Sequence, residues 1–219
     1  MICTSASGRR TLQKSIVIAL FCAAAALAQD LKPVVLPPPQ TDGGRPLMQV
    51  LKDRKTSREF ASDKLSPQIL SNLLWAAFGI NRPEGKRTAP SAMNWQEIDI
   101  YVATADGLFT YDAKANRLEP VLAQDVRAAT GTQPFVASAP LDLVYVADLA
   151  KTGGTGSDTE LYTSADVGFI AQNVYLFCAS EGLATVVRGS VDRAALAKVM
   201  KLRLEQKIVL AQTVGYPKK

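Results

Sequence analysis

Between positions 54 and 58 the chain reads Arg54-Lys55-Thr56-Ser57-Arg58, followed by Glu59 and Phe60. A phosphate monoester presents several anionic oxygens. Such a cluster meets them with charge-assisted donors, arginine through its planar fork. The same cations would also suit a solvated helix end, where the helix dipole favours positive charge. A second cluster, Ser91, Asn94 and Gln96, lies in a loop and offers uncharged donors and acceptors for a polyol or a heterocycle edge. Turn residues that satisfy their own backbone account for it equally well. A third stretch runs Gly182-Leu183-Ala184-Thr185-Val186-Val187-Arg188-Gly189, and its last glycine permits close backbone approach to a flat ligand or simply opens the next turn. The fourth is the ending Gly215-Tyr216-Pro217-Lys218-Lys219, whose lysines could reach a phosphate or stay in water.

Other chemistries are excluded. The chain has no histidine, which removes Ser–His and Cys–His triads and His-ligated metals. Cys3 and Cys22 fall in the N-terminal segment, so Cys178 stands alone in an apolar run and reads as a small buried hydrophobe. No metal site is expected.

The elements that must position these residues can be read along the chain. Arg9, Arg10 and Lys14 precede an uncharged apolar run and the small-x-small triplet Ala26-Leu27-Ala28, the pattern of a signal peptide over residues 1–28. Its removal takes three cations and lowers the net charge from +5 to +2, which leaves little reason to expect a nucleic-acid partner. Residues 29–44, with Pro33, Pro37, Pro38 and Pro39, are expected to be an exposed, stiff linker. The domain proper then covers 45–219. Helices are predicted from Pro46, from Ser66-Pro67 to Gly79, over 158–180 and over 192–200; the third of these is apolar nearly all round. Strands are predicted at 98–103, 141–147, 185–187 and 208–214, with a hairpin at 107–122. The loose mixture is α+β.

Taken in order, the four clusters resemble the landmarks of the FMN-dependent nitroreductase family: a basic entry motif, a Pro-Ser-x-x-Asn-x-Gln loop, a Gly-Leu-x-Thr-x-x-x-Gly run and a Gly-Tyr-Pro ending followed by basic residues. The stretches 73–81 and 171–173 resemble the branch that holds SagB-type dehydrogenases. The resemblance implies a central, mostly antiparallel sheet flanked by helices and an FMN cofactor. Arg54, Lys55, Thr56 and Arg58 would hold the phosphate, completed by Lys218 and Lys219. Ser91, Asn94 and Gln96 would line the ribityl chain and ring. Val187, Arg188 and Gly189 would turn a backbone amide to flavin N5; Arg188 stands where the family is often acidic or Gly. It further implies a homodimer with FMN at the interface, and ping-pong hydride or electron transfer from a small-molecule donor to a small organic acceptor. A SagB-like dehydrogenase acting on a peptide heterocycle, or a module that keeps FMN without turnover, are the alternatives. Gly8-Arg9-Arg10-Thr11-Leu12-Gln13-Lys14 resembles a twin-arginine signal, so the expected destination is the periplasm or the exterior, with no membrane attachment after cleavage.

Overall fold

The computed structural model describes Met1 and residues 30–153 and 156–219. The signal-peptide reading of 1–28 therefore falls outside the described residues. Among the described residues seven strands form one sheet: β1 Val34–Val35, β2 Ile98–Thr104, β3 Gly107–Asp112, β4 Arg117–Leu122, β5 Leu141–Asp148, β6 Ala184–Arg188 and β7 Gln206–Gly215. Their order is β1-β4-β3-β2-β5-β7-β6, and every described pairing is antiparallel. Among the described residues four α-helices accompany them: α1 Leu47–Asp53, α2 Pro67–Phe78, α3 Ser157–Glu181 and α4 Arg193–Val199. This is the α+β class that the sequence suggests, with the mostly antiparallel sheet that the family resemblance implies.

The strand pattern sets the layers. Side chains alternate across a strand, so β2 sends Ile98, Ile100 and Val102 to one side and Tyr101 and Ala103 to the other. The first set joins Leu143 and Tyr145 of β5, Leu73 and Leu74 of α2, and Ile170 and Val174 of α3 in the larger core. The second meets Val144 and Val146 of β5 with Leu196 of α4 in a smaller one. All eight residues of β5 are buried, as its two-faced apolar run predicts. Local signals fix the helix ends. Ser66 accepts from the Ile69 amide at 3.2 Å with Pro67 at the first helical position. Asp192 caps α4 through the Ala195 amide at 3.0 Å. Gly182 closes α3 in the left-handed region at φ +70.

The proline-rich segment is a correction. It is exposed over most of its length but is not a free linker: Val34–Val35 pair with β4, and Leu36 is buried in the main core. Proline removes amide donors but leaves every carbonyl. Those carbonyls are used here: the Pro37 carbonyl accepts from Ser71 Oγ at 2.5 Å and Asn116 Nδ2 at 2.8 Å, and the Pro38 carbonyl from Gln68 Nε2 at 2.9 Å.

α1 buries only Val50 of its large apolar residues, while Leu47, Met48 and Leu51 are exposed. No helix among the described residues is long and apolar enough to cross a membrane.

Candidate functional site

β6 ends the sheet, and the basic segment runs along its outer edge. The Ser57 amide donates to the Thr185 carbonyl at 3.0 Å. Further on, Ala61 donates to the Tyr216 carbonyl at 2.9 Å, Phe60 bridges Pro217, and Lys218 donates to the Glu59 carbonyl at 3.3 Å. Residues from positions 54–59 and from the C-terminus are thereby brought together around one cleft of about 680 Å³. Lys52, Arg54, Lys55 and Lys218 supply its cations against the acids Asp53 and Glu59, and Tyr175 and Thr185 are among its walls. Thr56 is exposed and shares a hydrogen bond with the Tyr175 hydroxyl at 3.1 Å, while the Arg54 guanidinium lies 5.3 Å from the Tyr175 ring centroid. Arg58 and Lys219 are exposed beside this segment and at the tail.

The run 187–189 divides its work. The Val187 amide points out of the sheet edge and donates to the Tyr175 hydroxyl at 3.0 Å. Gly189 is exposed just beyond the strand. The Arg188 side chain goes the other way and is buried in a pair with Asp142, so only its backbone belongs to the edge. Cys178 also borders the cleft; burial pushes its thiol well up, and it stays a neutral thiol as the sequence suggests. Among the described residues no group of His, Cys, Asp and Glu could hold a metal ion.

Ser91, Asn94 and Gln96 lie elsewhere. They line a separate cleft of about 190 Å³ together with Arg87. Three residues of this loop hold left-handed backbone, Met93 at φ 52, Asn94 at φ 54 and Gln96 at φ 49, an unusual concentration for non-glycine residues. Gln96 accepts from Arg87 Nε at 2.8 Å and donates to Asn94 Oδ1 at 3.2 Å; the Ser91 hydroxyl accepts the Gln96 amide at 2.8 Å. Beneath it, Asp166 of α3 accepts the Ala92 amide at 2.9 Å, next to the fully buried Glu97. Tyr175 is nine residues further along α3, about 14 Å at the helical rise. One chain therefore does not bring the loop and the basic cleft together.

The sequence reading passed over Tyr175, Glu97 and Asp166. A tyrosine inside the apolar run 174–178 and acids flanking a polar loop are the signals that could have marked them.

Residues 51–216 match the nitroreductase family model. The chain belongs to the nitroreductase family. It is similar to a nitroreductase homologue of Methanocaldococcus jannaschii, at 32% identity over 168 residues, 72% of this chain and 85% of that one. A solved family structure from Ralstonia eutropha shares 43% identity and a TM-score of 0.82, covering 86% of this chain and 91% of the other. The fold is also that of the NADPH:FMN oxidoreductase of Vibrio harveyi, at 19% identity and a TM-score of 0.61 over 79% of this chain and 69% of that one. The chain is thus a nitroreductase-family oxidoreductase.

Proposed function

We propose that this nitroreductase-family chain binds FMN in the cleft beside β6 and serves as an FMN-dependent oxidoreductase with a small organic acceptor. The observation that carries the reading is the convergence of Lys52, Arg54 and Lys55 with Lys218, from segments far apart in the sequence, on a cleft walled by the outer edge of a sheet. Those cations suit a phosphate, and an edge strand offers backbone donors to the rim of a planar ring. Bound FMN supplies two-electron chemistry at N5. This chain's part is to hold the phosphate at 54–58 and Lys218, and to present the backbone at Gly189, just past the strand, to the ring. No histidine or metal is required of the protein.

The homodimer belongs to the same proposal. α1 leaves Leu47, Met48 and Leu51 exposed, and α3 leaves Leu161, Tyr162 and Phe169 exposed. Burial of these faces against a second copy would be favourable, and would also allow the 91–96 loop of that copy to reach the basic cleft. Export through the paired arginines, with FMN loaded before crossing, completes the reading. Arg9-Arg10 replaced by Lys-Lys should abolish export.

The deciding experiment is an absorption spectrum of the purified full chain with identification of any released chromophore. Oxidised-flavin bands and FMN released on denaturation support the proposal, and a donor screen then separates the dehydrogenase alternative from nicotinamide-driven turnover. A colourless protein that does not take up added FMN overturns it.

A further inference from the structure

The Tyr175 hydroxyl is the one side-chain group that joins the outer edge of β6 to the basic segment among the described hydrogen bonds. It lies 3.0 Å from the Val187 amide nitrogen and 3.1 Å from Thr56 Oγ1. One direction is forced: an amide N–H only donates, so Tyr175 accepts from Val187. The phenol keeps its own proton, and Thr56 Oγ1 lies within reach of it, in a bond that either hydroxyl can donate. With Tyr175 as donor, the Thr56 proton is left for another acceptor. Thr56 is exposed, between the cations Arg54 and Lys55 on one side and Arg58 on the other. The Arg54 guanidinium, 5.3 Å from the Tyr175 ring centroid, is steadied by the same side chain through its π-face.

We propose that Tyr175 is a positioning residue that fixes the Thr56 hydroxyl as a hydrogen-bond donor toward the phosphate of the bound nucleotide, through the relay Val187 N–H to Tyr175 to Thr56. The proposal rests on the FMN reading above. A phenylalanine would keep the ring and its contact with Arg54. It would lose the relay and leave the Thr56 hydroxyl free to orient either way. Bonds in such a chain polarise one another, so Thr56 is a stronger donor at the end of the relay than alone.

The test is flavin fluorescence titration of the full chain with FMN and, separately, with riboflavin, which has the ring and ribityl chain but no phosphate. Tyr175→Phe is expected to weaken FMN about tenfold, the value of one hydrogen bond to a charged group at its lower end, and to leave riboflavin within about twofold. Thr56→Val should give the same selective loss, Thr56→Ser should restore FMN affinity, and the double replacement Tyr175→Phe/Thr56→Val should be no weaker than Thr56→Val alone. Equal losses for FMN and riboflavin would make Tyr175 a mere packing group and overturn the proposal. Additive losses, or an FMN affinity raised by Tyr175→Phe, would do so too. A wild-type chain that binds neither flavin defeats the FMN reading itself, an outcome visible before any variant is made.

Discussion

Arg188 Nη2 donates to Asp142 Oδ1 across 2.8 Å, with both side chains sealed from solvent. Arg188 also donates to the Thr130 carbonyl at 2.6 Å, to Thr130 Oγ1 at 3.2 Å and to Thr213 Oγ1 at 3.0 Å. The guanidinium thereby ties β6, β5 and β7 to the loop at 130. Desolvation outweighs attraction here: burial pushes the Asp142 carboxyl up to about 6 and the Arg188 guanidinium down, although each is opposed by its partner.

A buried ion pair contributes little against a well-packed apolar pair, but its halves cannot be separated cheaply. Asp142→Asn leaves a buried, uncompensated cation. We expect a loss of about 3–5 kcal/mol of stability near neutral pH, read from urea unfolding. A loss under 1 kcal/mol would mean that the cation finds water or another acceptor.

Gly131 lies against this network. A Cβ there would meet Arg188 Nη1 at 1.9 Å, and that nitrogen is held by its own bonds. Gly131→Ala should cost about 1–3 kcal/mol, the range for overpacking. Combined with Asp142→Asn it should cost less than the sum, since the first change already displaces the guanidinium.

Glu97 gives a pH signature. Burial, with Asp166 adding repulsion, raises its carboxyl above the usual value despite the opposing hydrogen bonds. An acid raised in the folded state favours folding through its neutral form. That contribution is full below its unfolded value near 4.5 and is lost as pH rises through its folded value. Glu97→Gln removes the titration and keeps the shape. The difference in melting temperature, variant minus wild type, should therefore rise with pH from about 4 to 8. A flat difference would show that the Glu97 carboxyl titrates alike in the folded and unfolded chain.

Leu36 tests the correction at the proline-rich segment. It is 4% exposed and packs in the main core. Leu36→Ala should cost about 2–4 kcal/mol and speed proteolysis within residues 30–40, whereas an exposed linker would show neither.

Most of the scaffold was legible because local and periodic signals agree. Ile98, Ile100 and Val102 alternate as a strand half-facing a core must, and Ser66-Pro67, Asp192 and Gly182 carry their capping chemistry in their own side chains or their lack of one. The failures share a cause: each depends on a partner far along the chain. Proline content at 37–39 says nothing of Ser71 or Asn116, which its carbonyls accept from. Alternation places Arg188 on a buried face without revealing Asp142. Helical periodicity makes Tyr175 one more apolar position, and only the fold brings Thr56 to its hydroxyl. The order of the four polar clusters was visible, but not that Ser91, Asn94 and Gln96 sit at a separate place on one chain.

The seat of the basic segment on β6 has a second consequence. A bare edge strand is a template for pairing with another chain, and Ala184-Thr185-Val186-Val187 is uncharged and rich in β-formers. Ser57 and Tyr175 occupy the outward carbonyl of Thr185 and the outward amide of Val187. The segment that collects cations is thus also a guard against self-association into strand-paired aggregates. Solubility and binding are linked at this edge, and a lesion that loosens residues 54–58 should first be noticed as precipitation on the bench.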